Sequence, residues 1–400
     1  MIAYQDFDLR LRSDGDRYAV IASLDSQDVS EPLTVDLSRS WELDDLERES
    51  TEAVRRRGAE LFDALIPGRV RALYHQARGR IGNDAGAGIR IRLRFDPRDP
   101  QLRPLLRLPW EIAFDGSADG GGKWPALDPR YPIVRTIDSM EPAGDPGSGP
   151  LQRVVLAQSN PGSSEPLAAE REITEVQTAL GCVGVSPIVL RHATRSTLIE
   201  AISDREPQVL HFAGHGVLDE TTGQGMLLLE SDFGIEDQLD AATLAALFAG
   251  KRPPRLVLLT ACLSATTGAG ADPFSAMAIA LVAAGLPAVI AMQSEVLDHH
   301  AIRFSSRLYR RLVQGDPVEA AVAEARKAAS AGLIGTLDWA APVLFVRGHG
   351  AGTVLGEQGH SAPARQEPSI QQTVKTEHVD TQFNIAHLGT MHYHKGSDEK

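Results

Sequence analysis

The sequence predicts an α/β protein built on a mostly parallel sheet with helices on both faces, preceded by an N-terminal α+β region. From Arg153 onward, strand-length and helix-length patterns alternate regularly, which is typical of a parallel sheet covered by helices. The runs Val209–Ala213 and Leu256–Ala261 are largely apolar without alternation, which indicates strands buried on both faces. In residues 1–42, apolar and polar residues alternate in short runs, which predicts antiparallel strands with one solvent-exposed face.

The remainder of the N-terminal region predicts helices and a further strand. Residues 41–76 are charged and carry apolar residues at helical spacing, with an interruption near Pro67. Residues 88–95 alternate strictly, so the three arginines of this run share one face. These are Arg90, Arg92 and Arg94. The pattern predicts an edge strand or a strand with an exposed face, and a basic docking surface is the functional alternative.

The region after Arg153 divides into short strands and longer helices. The predicted strands are Val154–Gln158, Val185–Leu190, Val209–Ala213, Leu256–Ala261, Ala288–Met292 and Pro342–Val346, with a hairpin arm at Met226–Glu230. The predicted helices are Leu167–Leu180, Thr194–Ile202, Ala241–Phe248, Pro273–Ala284, Ile302–Val313 and Val318–Ala329. One of these helices begins at a proline, which is a favoured first position.

Composition places the chain among ordinary globular proteins and excludes some partners. It has 400 residues and a formal charge of −13, so we expect no direct binding of nucleic acid or of an anionic membrane. No apolar stretch approaches the roughly 18 residues of a membrane span, and the first residues lack the pattern of a signal peptide. With only two cysteines, Cys182 and Cys262, a disulfide framework is not expected, and we predict a cytoplasmic protein without cofactor or metal.

Two predicted strands end close to residues that can perform chemistry. His215 follows the first strand and Cys262 follows the second, 47 residues later. Ligands of open α/β sheets bind beyond the carboxyl ends of the strands, so neighbouring strands would bring imidazole and thiol together as a nucleophile pair. The alternatives are a hydrogen-bonding histidine and a small cysteine in the core. Gly214 and Gly216 flank the histidine and would let backbone N–H groups approach a carbonyl.

These motifs resemble the CHAT domain family, relatives of caspases and separase among the clan CD cysteine peptidases. The resemblance covers about residues 85–350 and is carried by the segments His211-Phe-Ala-Gly-His-Gly216, Leu227-Leu-Leu-Glu-Ser231, Leu259-Thr-Ala-Cys-Leu-Ser264, Gly285–Ala291, Leu108-Pro-Trp-Glu111 and Pro129–Arg135. Two positions depart from the family pattern. Thr260 stands where the family usually has asparagine, and Met292–Glu295 replaces its usual Leu-Trp-Pro-type turn.

The resemblance implies a caspase-like fold and assigns roles to several residues. Cys262 would be the nucleophile and His215 the proton-transfer group, with the N–H groups of Gly216 and Cys262 as oxyanion donors. His211 is expected to be a buried hydrogen-bonder and Trp110 a core residue. Asp219 and Glu220 are candidate third members of the site.

The substrate pocket implied by the resemblance involves acidic residues. Asp298 and Glu295 follow the predicted strand Ala288–Met292. Separase-like relatives keep an acid at this place, which binds the basic residue that precedes the cleaved bond. Asp298 has the alternative of capping the helix that contains Ile302. Asp232 and Asp237 are expected to line the mouth of the pocket.

The predicted organisation has five parts. Residues 1–140 form an N-terminal α+β, pseudo-caspase-like half, 141–150 a linker, 151–348 the caspase-like protease domain, 349–372 a flexible linker, and 373–400 a short β-prone tail. The tail is expected either to recruit a sensor or adaptor protein, or to self-assemble through strand pairing, with a disordered tail as the alternative.

Taken together, these features predict a cysteine endopeptidase that cleaves a specific protein partner. We expect activation by recruitment or clustering, in bacterial defence or regulated cell death. The alternative is a catalytically silent caspase-like scaffold for regulated assembly.

Overall fold

A computed structural model describes residues 2–25, 27–118, 121–138, 149–162, 169–219, 221–260, 273–294, 296–330, 336–348, 373–376 and 379–382. Within these residues, eleven strands form one sheet. In chain order they are β1 (Ala3–Asp14), β2 (Arg17–Leu24), β3 (Gln27–Leu33), β4 (Ala87–Phe95), β5 (Ile133–Ile137), β6 (Val154–Gln158), β7 (Ile188–Leu190), β8 (Val209–Ala213), β12 (Leu256–Thr260), β13 (Ala288–Met292) and β14 (Pro342–Arg347). A separate three-stranded sheet contains β9 (His215–Leu218), β10 (Gly225–Glu230) and β11 (Glu236–Asp240).

Helices fill most of the connections between strands. They are α1 (Leu43–Glu47), α2 (Thr51–Leu65), α3 (Gly68–Ile81), α4 (Arg103–Leu106), α5 (Ala169–Gly181), α6 (Arg195–Arg205), α7 (Ala241–Ala246), α8 (Pro273–Ala283), α9 (Asp298–Val313) and α10 (Val318–Ser330). The break between α2 and α3 falls at Pro67, as the sequence predicts, and α8 begins at Pro273. Leu297 occupies the N-cap position of α9, and Asp298 is the first residue of the helix.

The strand order of the main sheet is β3-β2-β1-β4-β5-β14-β13-β12-β8-β6-β7. The β1–β2–β3 strands are antiparallel, and β13–β14 is also antiparallel, while the remaining neighbours run parallel. Every residue of β8 and β12 is buried, so both faces of the sheet are covered at its centre. The predicted fold class is therefore confirmed: mixed α/β with a large, mostly parallel sheet flanked by helices.

The strand of alternating arginines lies inside the sheet. β4 pairs with β1 on one side and β5 on the other, so the prediction of an edge strand is wrong. Its three arginines are largely buried in ion pairs, and the alternative of a basic docking surface is wrong as well. Arg90 contacts Asp6 and Glu319, Arg92 contacts Asp6 and Asp8, and Arg94 contacts Asp8 and Asp138.

The strands on either side of residues 141–150 belong to the same sheet. β14, near the end of the predicted protease domain, pairs in parallel with β5 from the N-terminal region. Buried apolar residues from Phe7 to Val346 make one continuous core, and Trp110 is completely buried in it, as expected. Residues 1–358 cluster as one compact unit. The division into the predicted parts stays a prediction.

Residues 359–400 cluster as a second unit. Its described residues form an antiparallel pair, β15 (Thr373–Thr376) and β16 (Val379–Gln382). Among the residues described, no helix has the length and apolar character needed to cross a bilayer.

Candidate active site

The carboxyl ends of three parallel neighbours, β6, β8 and β12, are tied to one another by backbone hydrogen bonds. The N–H of Ser159, just after β6, donates to the carbonyl of Ala213 at 3.1 Å. The N–H of Gly214 donates to the carbonyl of Thr260 at 3.1 Å. This arrangement fixes where the chain leaves each strand, and His215 is the second residue beyond the end of β8.

His215 is buried, and its ring is held by a residue that follows β6. Only 1% of His215 is exposed, and its Nε2 lies 3.0 Å from Oδ1 of Asn160. An amide oxygen only accepts, so this contact is a hydrogen bond in the tautomer that carries its proton on Nε2 and has Nδ1 as the basic nitrogen. The orientation of the ring is thereby set by Asn160.

Asn160 is itself positioned by a carboxylate. Its backbone N–H donates to Oε1 of Glu230 at 3.0 Å, and Glu230 is 8% exposed at the end of β10. The His192 ring lies on the other side of this carboxylate, with Nδ1 at 3.1 Å from Oε2. Glu230 therefore anchors the loop that carries Asn160.

The two glycines beside His215 are required by close packing. A Cβ on Gly214 would lie 2.7 Å from the carbonyl oxygen of Ser159, and a Cβ on Gly216 would lie 2.4 Å from the ring of Phe274 on α8. The N–H of Gly214 already donates to Thr260. The Gly214 N–H is thus occupied, and the oxyanion role of the Gly216 N–H stays a prediction.

His211 is a buried hydrogen-bonder, as the sequence predicts. It is completely buried, and its Nε2 lies 2.8 Å from the hydroxyl of Thr260. Its ring stacks on Tyr309 of α9, with the centroids 5.8 Å apart, and its Nε2 lies 3.4 Å from Glu172 of α5. Thr260, which replaces the usual asparagine of the family pattern, is therefore bonded inside the sheet and only 3% exposed.

Several predicted site residues lie outside the described residues or atoms. Cys262, Glu220 and Glu295 are not among the described residues. Asp298 is the first residue of α9, and its side chain is not among the described atoms. The roles predicted for these four residues stay predictions.

The remaining predicted acids are described, and none of them contacts His215. Asp219 accepts hydrogen bonds from the Thr221 hydroxyl and from backbone N–H groups, which hold its pKa below the usual range. Asp232 is exposed in the turn between β10 and β11. Asp237 forms a bidentate ion pair with Arg195 at the start of α6.

Sequence reasoning missed Asn160 and Glu230. A signal was present, because Ser159-Asn160-Pro161 places a polar residue directly after a buried strand, as at His215. Recognising it required knowing that β6 lies beside β8, which is a fact of topology. No group of three or more potential metal ligands occurs in the described part of the chain.

Comparison with known proteins identifies the family of the chain. The family described as CHAT domain matches residues 55–347. No curated protein sequence matches significantly. The chain is similar to the Arg-specific cysteine proteinase gingipain R (RgpB) of Porphyromonas gingivalis, with a TM-score of 0.43 and 11% identity over 76% of this chain and 75% of that one.

Two further solved structures are similar over parts of the chain. The Saccharomyces cerevisiae separase–securin complex gives a TM-score of 0.36 and 13% identity, covering 65% of this chain and 15% of that one. The Drosophila initiator caspase Dronc gives a TM-score of 0.30 and 9% identity, covering 53% of this chain and 89% of that one. The match to the CHAT domain model spans well over half of the present chain, and the chain therefore belongs to the CHAT domain family.

Proposed function

We propose that the chain is a cysteine endopeptidase in which Cys262 is the nucleophile and His215 its proton-transfer partner. The observation that carries this proposal is the register of two parallel neighbours, β8 and β12, which pairs Ala213 with Thr260. His215 and Cys262 each follow these paired residues by two positions. The buried, oriented imidazole of His215 supports the same assignment.

The proposed reaction uses the basic Nδ1 of His215. This nitrogen takes the proton of the Cys262 thiol, and the thiolate attacks the carbonyl carbon of the peptide. The N–H groups of Gly216 and Cys262 stabilise the oxyanion that forms. The imidazolium then gives its proton to the leaving amine as the C–N bond breaks. Water, deprotonated by His215, hydrolyses the thioester and releases the thiol and the carboxylate product.

The substrate in this proposal is a specific protein, cut after a basic residue. Asp298, with Glu295 and Asp232, supplies the negative charge for that residue. The β-prone tail recruits a sensor or adaptor protein or assembles with itself, and clustering switches the enzyme on in the cytoplasm, in bacterial defence or regulated cell death. The C-terminal pair β15–β16 is compatible with strand-based recruitment.

The test is cleavage of a mixed peptide library by the purified chain and by Cys262→Ala, read by mass spectrometry. Each protein is assayed alone and clustered by a dimerising tag fused to the tail. Cleavage after Arg or Lys that Cys262→Ala abolishes and Cys182→Ala retains is the expected result, because Cys182 is an exposed thiol outside the site. Cleavage only after apolar residues would keep the mechanism and overturn the pocket proposal.

A thiol probe separates the enzyme from a silent scaffold when no peptide is cut. A nucleophile paired with imidazole is alkylated faster at neutral pH than an ordinary thiol, because more of it is thiolate. We expect iodoacetamide to label Cys262 faster than Cys182, and His215→Ala to remove that difference. Equal labelling of the two cysteines in the full chain would favour the scaffold.

A further inference from the structure

A surface groove on the N-terminal region combines apolar walls with arginines. It lies between residues 37–42 and α4 and encloses about 410 Å³. We call it the arginine groove and define it by Leu37, Trp41, Pro100, Pro104, Arg103 and Arg107. It is separate from the strand ends around His215, and its Trp41 also belongs to the buried core.

The charge of the groove is positive in a chain whose formal charge is −13. Arg103 and Arg107 are exposed, and neither has an ion-pair partner within the described residues. A third arginine of the lining, Arg39, is paired with Glu60 at 2.9 Å. Glu42 is the single acid of the lining. Burial raises the pKa of Glu42, and the nearby charge of Arg107 opposes that rise. Two guanidinium groups therefore face solvent on one rim.

The backbone that presents these two arginines is held from beneath. The indole N–H of Trp110 donates to the carbonyl of Leu105 at 2.7 Å. Arg135 donates to the carbonyls of Leu106 and Leu108, at 2.5 and 3.1 Å. Trp110 and Arg135 are fully buried, so the turn is rigid before any ligand arrives, which lowers the entropic cost of binding.

The walls of the groove are apolar and partly open. Leu37 is one of the exposed large hydrophobic residues, at 38%, and Pro100 and Pro104 are exposed. The Trp41 ring closes one side and is itself fixed by the guanidinium of Arg57, 4.0 Å from the ring centroid. Exposed apolar surface beside unpaired charges is the composition of a site for a peptide with both kinds of side chain.

We propose that the arginine groove docks an extended acidic peptide segment of a partner protein. Arg103 and Arg107 are one helical turn apart, with Arg107 as the C-cap of α4 in helical conformation, so their Cβ atoms are separated by about 6 Å. Alternate side chains of an extended peptide are separated by about 6.6 Å. Carboxylates at alternate positions therefore match the two guanidinium groups, which bind carboxylates in a bidentate manner.

The apolar walls favour a peptide over nucleic acid as the occupant. Nucleic-acid sites depend on many cations along a phosphate backbone, whereas this groove offers two unpaired arginines beside leucine and proline. The docking proposal goes beyond the proposed peptidase and does not depend on Cys262.

The test is fluorescence polarisation of a labelled peptide that alternates glutamate with leucine, added to the full chain at low salt. We expect saturable binding that Arg103→Glu/Arg107→Glu weakens by about tenfold or more, because two attractions become repulsions. The matched control is Arg205→Glu/Arg252→Glu, which reverses two exposed arginines elsewhere and should leave binding unchanged. The same peptide with glutamine for glutamate should bind far more weakly.

Thermal unfolding of each variant shows whether it folds, and the single changes Arg103→Gln and Arg107→Gln replace the double variant if it does not. Absence of binding to the full chain, or equal binding by the groove and control variants, would overturn the proposal. So would tighter binding of a labelled single-stranded oligonucleotide that depends on the same two arginines, since it would identify a phosphate site instead.

Discussion

Asn160 connects the imidazole of His215 to a buried carboxylate by two hydrogen bonds. One runs from the His215 ring to the Asn160 side chain, and the other from the Asn160 backbone to Glu230. An imidazole that has lost such a partner can rotate and can carry its proton on either nitrogen. At the scale of single residues, Asn160 is therefore a positioning residue for the proposed reaction.

We predict that Asn160→Ala lowers kcat by up to about 100-fold with little change in KM, because the imidazole loses its orientation. Asn160→Asp keeps an acceptor and should restore much of the rate. Its negative charge raises the pKa of His215, so the acidic limb of the pH–rate profile should move to higher pH. When no substrate is known, the pH profile of Cys262 alkylation gives the same readout.

Asn83→Ala is the matched control for this prediction. Asn83 is exposed after α3, far along the chain from the site, and its change should leave both rate and pH profile unaltered. An Asn160→Ala protein with the pH profile of the unchanged chain would show that Asn160 does not position His215.

At the scale of elements, β4 shows that a strand of alternating arginines can lie inside a sheet when carboxylates face the arginines. Its arginines alternate along the strand, and carboxylates from β1, α10 and the segment after β5 face them. Asp6 accepts from Arg90 at 2.6 Å and from Arg92 at 2.9 Å. Burial opposes ionisation of Asp6, but these hydrogen bonds and charges outweigh it and hold its pKa below the usual 3.8.

Because the pKa of Asp6 is lower in the folded chain than in the unfolded chain, its stabilising contribution is present above pH 3.8 and is lost as pH falls through the folded value. We predict that Asp6→Asn lowers the free energy of unfolding by about 1 kcal/mol at neutral pH, since the pair is partly exposed. The difference from the unchanged chain should shrink below pH 3.8. Urea unfolding at several pH values measures both effects.

Asp28→Asn on β3 is the control, because Asp28 is exposed and has no ion pair within the described residues. Asp28→Asn should leave the free energy of unfolding unchanged at every pH. If Asp6→Asn kept its full effect at acid pH, the ionised carboxylate would not be the cause.

At the scale of the whole molecule, a buried polar cluster joins the two halves of the chain. Arg135 of β5 donates to both oxygens of Glu111 and to the amide oxygen of Gln293, just after β13. The amide nitrogen of Gln293 donates to Glu111 at 3.0 Å and to the carbonyl of Ala340 at 2.9 Å. Burial lowers the pKa of Arg326 on α10, which lies 4.0 Å from Glu111, although the charge of Glu111 opposes this.

We predict that Arg135→Met destabilises the chain by about 3–5 kcal/mol. The change leaves the buried Glu111 with Arg326 as its nearby cation, 4.0 Å away. Arg195→Met is the matched control. Arg195 forms a two-pronged ion pair with Asp237 at the surface, where its loss should cost about 1 kcal/mol or less. Urea unfolding of both variants is the measurement, and similar losses for the two would contradict the inferred role of the buried cluster.

The sequence alone determined the local features of this protein. Apolar runs without alternation identified β6, β8, β12 and β13, because a strand covered on both faces needs apolar residues throughout. Pro67 marked the break between α2 and α3, and the positions of His215 and Cys262 after two such strands indicated a site. These features depend on local spacing, which a sequence displays directly.

Only the tertiary structure decided which distant residues meet. It placed β4 inside the sheet, joined β14 to β5, and brought Asn160 to His215 across 55 residues of chain. An alternating strand of arginines has the same pattern whether water or carboxylates face it, so sequence reasoning left Arg90, Arg92 and Arg94 at an edge. Strand order is set by packing and pairing between remote segments, and that information is absent from any local pattern.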